Sequence, residues 1–334
     1  MIRKIIASVR GVHSFLAIIL VAIPAVAQSQ QTSGSAVQTT PPWAYPVLAP
    51  DYKIAPDSGF AKRVPNSKSE FTLTQLRDLF NAYDWFPGDH PPMPEVVARG
   101  RKPDVYACGM CHMPNGQGRP ENSSLAGLPA AYIVQQMADF KAGLRKTSEP
   151  AARPATLMAR VGQYANDEDV KAAAEYFSGL KFSKWIRVVE SKTAPKSQVV
   201  AGYMLAAIEG AGSEPIGARI IEIPEDLART ELRDPRSGFV AYVPVGSIKR
   251  GASLITTGGG KTIPCVICHG PELKGLGLVP SLAGRSPSYI VRQLYDIKNG
   301  NRAGVSAQLM KDVVAKLTLD DMVAIAAYTA SREP

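Results

Sequence analysis

The chain has 334 residues, of which 45 % are hydrophobic and 20 % charged, with four cysteines and a formal net charge of +9. These are globular values with room for two domains, and they exclude wholesale disorder. The basic excess is scattered, with no Lys/Arg cluster interleaved with aromatics, which excludes the usual footprint of a nucleic-acid binder.

Arg3, Lys4 and Arg10 precede an apolar run from Phe15 to Ile23, and Ala25-Val26-Ala27 forms a small-x-small cleavage box. This pattern predicts a signal peptide over 1–27, cleaved after Ala27, and export of the remainder. The run is far shorter than the ~20 residues a bilayer-crossing helix needs. No later stretch approaches that length, so the mature chain is expected to carry no transmembrane segment. Loss of the three basic residues leaves 35 basic side chains against 29 acidic ones.

An N-terminal extension follows over 28–86. Its polar tract (Gln28 to Thr40) and proline-rich run (Pro41 to Pro65) cannot build a core, so both are expected to tether or wrap, with Trp43 and Tyr45 as anchors. From Thr72 the pattern turns helical: Leu73, Leu76, Leu79, Phe80 and Tyr83 share a face, and Thr72-x-x-Gln75 reads as a capping box.

The next segment, 87–182, contains Cys108-Gly109-Met110-Cys111-His112. A helix around Tyr132-Ile133-Val134 follows, then Met158, then a terminal helix over Asp167 to Phe177 with acidic residues in its first turn. Over 183–244 the helical period gives way to β-branched runs, Ile186–Glu190, Ala218–Ile223 and Gly238–Val243, separated by turn residues. This segment reads as a small strand-rich insert.

The segment 245–334 repeats the first one. Shifted by 157 residues, 108–145 lies over 265–302 without a gap, and 17 of the 38 positions are identical. Five extra residues in the first copy then move the shift to 152, which sets Met158 over Met310 and Tyr176 over Tyr328. A short helix is expected before each cysteine pair, in the second copy over Ser247 to Ile255 with Ser247 as its N-cap. The fold class is therefore mainly α, two tandem domains joined by a strand-rich insert.

A Cys-x-x-Cys-His run has three chemical readings. Tetrahedral zinc needs four ligands, so both cysteine pairs would have to converge on one metal, and the histidines would go unexplained. A redox disulfide of the thioredoxin kind belongs beside strands, and neither copy predicts any around its cysteines. Covalent haem attachment needs this spacing. Two thiols must reach two vinyl groups on one porphyrin edge while the next imidazole reaches the iron, and positions i, i+3 and i+4 share a helical face. Cys108, Cys111 and His112, with Cys265, Cys268 and His269, are thus the candidates for two covalently attached haem c groups.

The iron's other axial ligand is usually histidine or methionine. His13 lies in the signal peptide, and His90 has no counterpart in the second copy. Among the methionines one pair aligns, Met158 with Met310, and these are the expected ligands; the competing reading makes both core residues.

These residues resemble the class I cytochromes c, and the tandem arrangement is similar to the two-domain dihaem cytochrome c4 group. The shared pieces are Cys-x-x-Cys-His, Leu125-Ala126-Gly127 and Leu282-Ala283-Gly284 before a Tyr-containing helix, the turns Gly143 to Arg145 and Gly300 to Arg302, and then Met and an acidic-capped helix. The resemblance covers about 180 residues. It implies His/Met ligation, a periplasmic setting and electron transfer to and from redox partners, such as a dehydrogenase or a terminal oxidase, without substrate chemistry. A dihaem enzyme, peroxidase-like or thiosulfate-oxidising, is the competing class and needs an open or exchangeable iron position. There are two departures. The family often places a proline whose carbonyl orients the histidine; Pro280 fits, while Ser123 takes that place in the first copy. The N-terminal extension and the insert are also outside the simple two-domain pattern.

Overall fold

The computed structural model describes residues 40–334; the expected signal peptide and most of the polar tract lie outside the described residues. The chain forms two helical regions separated by a strand-rich insert. The first holds α1 (Leu73–Leu76), α2 (Glu95–Ala98), α3 (Cys108–His112), α4 (Ala130–Lys141), α5 (Arg153–Tyr164) and α6 (Asp167–Ser178). The insert runs β1 (Ile186–Ser191), β2 (Thr193–Pro195), β3 (Ser197–Val200), β4 (Met204–Ala207), β5 (Ser213–Pro215), β6 (Ile221–Pro224), α7 (Leu227–Glu231) and β7 (Phe239–Pro244). The second region holds α8 (Ser247–Thr257), α9 (Val266–His269), α10 (Pro287–Lys298), α11 (Val305–Ala315) and α12 (Leu319–Ser331).

Local side-chain caps account for several helix starts. The Thr72/Gln75 capping box forms at α1, with the Thr72 N–H donating to Gln75 Oε1 at 2.8 Å and the Gln75 N–H to Thr72 Oγ1 at 3.2 Å. Asn166 caps α6 by accepting from the Asp169 N–H, and Thr318 caps α12 by accepting from that of Asp321. At α8 the expectation needs correcting. The N-cap is Gly246, in the left-handed region at φ 86°, and Ser247 is already helical. The Ile248 N–H donates instead to Glu190 Oε1 of β1 at 2.8 Å, so a carboxylate from the insert satisfies this helix start.

The insert is built on a three-stranded sheet in the order β1-β7-β6, with β1 parallel to β7 and β6 antiparallel to it. β2 pairs with β5 and β3 with β4 as short antiparallel ribbons. The three strands expected from β-branched runs are the sheet; the four ribbon strands were not anticipated.

Two cores dominate. Val97, Val105, Ala174 and Phe177 centre the first copy. The second copy and the insert share a larger one, in which Ile255, Val291 and Met322 pack with Ile221, Ala241 and Val243. Trp43 and Tyr45 join this second core, so the proline-rich segment anchors on the second copy. The Tyr45 hydroxyl donates to Asp296 Oδ1 at 2.7 Å, and Arg292 donates to the Ala44 carbonyl at 2.7 Å. Helices α8 and α12 cross so closely that a Cβ on Gly251 would lie 2.0 Å from the Ala324 carbonyl oxygen. Glycine is what permits that approach. Among the described residues no helix is long and apolar enough to cross a membrane.

Candidate cofactor site

α3 carries Cys108, Cys111 and His112 within little more than one turn, and Cys265 with α9 repeats the set as Cys265, Cys268 and His269. All four cysteines are free thiols. Burial pushes the Cys108 thiol up to about 12 and that of Cys265 up to about 11, so both stay protonated at neutral pH.

Each histidine is fixed by a backbone carbonyl eleven residues on. His112 Nδ1 lies 2.8 Å from the Ser123 oxygen, and His269 Nδ1 lies 2.8 Å from the Pro280 oxygen. A carbonyl only accepts, so Nδ1 carries the proton and Nε2 keeps its lone pair for a metal. Burial pushes the His112 pKa down to about 4, against the Ser123 bond that raises it, and burial lowers that of His269 likewise. Both rings are neutral imidazoles at pH 7. Ser123 thus makes in the first copy the contact that Pro280 makes in the second.

The backbone turns sharply after each histidine. Gly270 takes φ 81° and ψ 157°, and Met113 takes φ 67° and ψ 150°. This region is almost confined to glycine and costs another residue about 1–3 kcal/mol. Met113 occupies it with its side chain buried.

A cavity of about 1310 Å³ is lined by all eight candidates, Cys108, Cys111, His112, Met158, Cys265, Cys268, His269 and Met310. Repeat-equivalent apolar side chains line it as well, Leu125 with Leu282 and Ile133 with Ile290. Met158 lies on α5 and Met310 on α11, helices ahead of the terminal ones that the sequence pattern did not predict. Met137 also borders the cavity. His90 is engaged elsewhere: Nε2 is 3.1 Å from Asp84 Oδ2, and Nδ1 is 2.8 Å from the Pro91 carbonyl oxygen and 3.0 Å from the Tyr176 hydroxyl. Among the described residues no three His, Cys, Asp or Glu side chains are arranged to hold a metal ion.

Side chains that the sequence pattern did not mark as site residues complete the wall. Tyr132, Gln136 and Arg145 of the first copy meet Tyr289, Gln293 and Arg302 of the second along it. All three are identical pairs in the repeat, so the signal was present. Gly202, Tyr203 and Arg233 come from the insert, which has no repeat partner to mark them.

These residues fit a haem. The pocket is apolar, the Cys108 and Cys265 thiols are protonated, and a neutral imidazole nitrogen is available in each copy. Among the described residues Arg302 Nε, buried on the cavity wall, has no hydrogen-bond partner, which leaves donor capacity for the carboxylates a haem carries.

The cytochrome c family profile matches residues 97–181. Cytochrome c-554(548) of Halomonas halodenitrificans is 37 % identical over 70 residues, 21 % of this chain and 84 % of that protein. The thiosulfate dehydrogenase electron acceptor of Thiomonas intermedia is 27 % identical, over 69 % of this chain and 80 % of the relative. Cytochrome c4 of Stutzerimonas stutzeri is 26 % identical, over 67 % of this chain and 83 % of the relative. Among solved structures, thiosulfate dehydrogenase from Marichromatium purpuratum is 26 % identical with a TM-score of 0.48 over 71 % of this chain. The match spans 39 % of that longer chain. The chain belongs to the cytochrome c family and is related to the dihaem cytochromes c4.

Proposed function

We propose that this chain is an exported dihaem electron carrier working in the periplasm, as the cytochrome partner of a dehydrogenase or a terminal oxidase. The observation that carries the reading is the duplicated site: two Cys-x-x-Cys-His sets, each with its imidazole held by a carbonyl, open on one apolar cavity. The pair Cys108 and Cys111, and the pair Cys265 and Cys268, would each supply two thioether bonds to a porphyrin edge, one from each cysteine. His112 and His269 would bind iron through Nε2, with Met158 and Met310 as the other axial ligands. Bound haem supplies reversible one-electron exchange at iron. The protein sets the potential, excludes water and presents the site to a partner.

The names of two relatives, thiosulfate dehydrogenase electron acceptors, favour a dehydrogenase as the donor. The basic, apolar and small-x-small pattern of residues 1–27 supports export.

The test is a count of covalent haem in protein made by a host able to attach it. Intact mass and pyridine haemochrome should both give two haems. Cys265→Ala with Cys268→Ala should remove one and leave the other. Fewer than two in the wild type overturns the proposal, and peroxide turnover at enzyme-like rates would replace it with a catalytic one.

A further inference from the structure

The two copies differ at the edge that bears the second cysteine. Met110 and Met113 are 9 % and 3 % exposed, and Cys111 is half-buried. In the second copy Ile267, equivalent to Met110, is 62 % exposed, and Cys268 lies open.

The insert produces this difference. Arg233, just past α7, donates through Nη2 to the Met110 carbonyl and lies 3.9 Å from Met113 Sδ. Nearby, Arg119 Nη2 lies 3.0 Å from Met204 Sδ of β4. The two cations are not alike. Arg119 Nε pairs with Glu121 at 2.8 Å, whereas among the described residues no carboxylate comes within ion-pair reach of Arg233. Burial, with the Arg119 charge adding to it, pushes the Arg233 pKa down to about 10, so the guanidinium is still a cation at neutral pH.

A fixed positive charge in a poorly screened setting favours whichever neighbouring redox state is less positive. Ferrous haem carries one positive charge fewer than ferric haem, so the cation raises the reduction potential. Closing the edge against water adds a second difference between the sites. Among the described residues no arginine of the insert bonds to the equivalent edge of the second copy, where Ile267 and Cys268 are exposed.

We propose that Arg233 makes the two sites unequal, holding the first copy's haem at the higher reduction potential so that it is reduced before the second. This rests on the dihaem reading above.

The test is an optical redox titration of the two-haem chain with dithionite, after haem counting. Arg233→Met keeps side-chain bulk and removes the charge. Its higher midpoint should fall, and the lower one should stay. At fixed applied potential the reduced-to-oxidised ratio of that haem should drop about tenfold, which is about 59 mV for one electron. Arg233→Lys keeps the charge and should hold the higher midpoint. Arg233 has φ 59°, a left-handed conformation that asparagine tolerates; Arg233→Asn therefore gives the same reading if the Met variant fails to fold. If the higher midpoint stays in the charge-free variants, or the lower one moves instead, the inference is wrong. A haem count of two in those samples confines the failure to Arg233, and a count below two in the wild type sinks the dihaem reading itself.

Discussion

Arg145 and Arg302, equivalent residues of the two copies, face each other in an antiparallel bridge, and each reaches into the other's copy. Arg145 Nη2 donates to the Tyr289 hydroxyl at 2.8 Å, and Arg302 Nη2 donates to the Tyr132 hydroxyl at 2.9 Å. Both guanidinium groups also share Gln136 Oε1 and Gln293 Oε1. The contact is a local two-fold arrangement made by a sequence repeat: whatever one copy donates, the other returns.

Removing one arm leaves the opposite phenol and amides short of a donor inside the molecule. In the haem-loaded chain Arg302→Ala should lower the unfolding free energy by about 2–4 kcal/mol, read from the shift of the urea midpoint. Arg302→Lys should recover only part of it, because an ammonium lacks the planar fork that serves two oxygens at once. An unchanged midpoint for the alanine variant would show that the bridge contributes nothing to stability.

The repeat and the two Cys-x-x-Cys-His sets were legible because each set is local, whereas Met158 and Met310 were proposed from the repeat register alone. Spacing of i, i+3 and i+4 is written in four consecutive intervals of chain. The histidine-orienting contact was also less dependent on residue type than the family pattern suggests. Its acceptor is a backbone carbonyl, so Ser123 serves as well as Pro280 once the intervening loop keeps its length. Other features were hidden for identifiable reasons. α5 begins Arg153-Pro154 without a side-chain cap, and proline there reads as a break although the first helical turn accepts it. α11 starts after Gly304 with no cap either. Strands β2 to β5 have three or four residues each, too few for alternation to stand out. Arg233 reaches the first site from 120 positions beyond Met113, and no local pattern encodes such a contact.

Asp321 gives the pH dependence a specific origin. It is fully buried and completes the α12 capping box with Thr318, and it also pairs with Arg250 and Lys261. Burial alone would raise its pKa, but the Thr318 N–H and hydroxyl, Lys261 and Arg250 together outweigh it and hold the carboxyl well below its ordinary value. A depressed folded pKa stabilises the protein fully above the unfolded value of about 3.9. That contribution is lost as pH falls through the folded value. Asp321→Asn should therefore be less stable than wild type by about 1–3 kcal/mol at pH 7, and urea titrations at successive pH values should show the gap closing below about pH 4. A gap that stays constant down to pH 3 would mean the carboxylate charge is not its source.

The methionines decide the ligand set. Thioether sulfur is a neutral, weak ligand that favours reduced iron, so His/Met coordination should keep both midpoints well above those of bis-histidine haems. Met158→Ala and Met310→Ala should each open one site, admit water or an added ligand, and lower one midpoint. Met137 supplies the control. It borders the same cavity, yet its repeat equivalent is Leu294, so the second copy does without a sulfur there. Met137→Leu conserves volume and should cost under ~1.5 kcal/mol, with both midpoints unchanged. The far-red absorption band expected of iron–sulfur ligation in this family should halve in each alanine variant and persist in Met137→Leu. If the alanine variants keep the band in full while Met137→Leu loses part of it, the sulfur belongs to α4 rather than to α5 and α11.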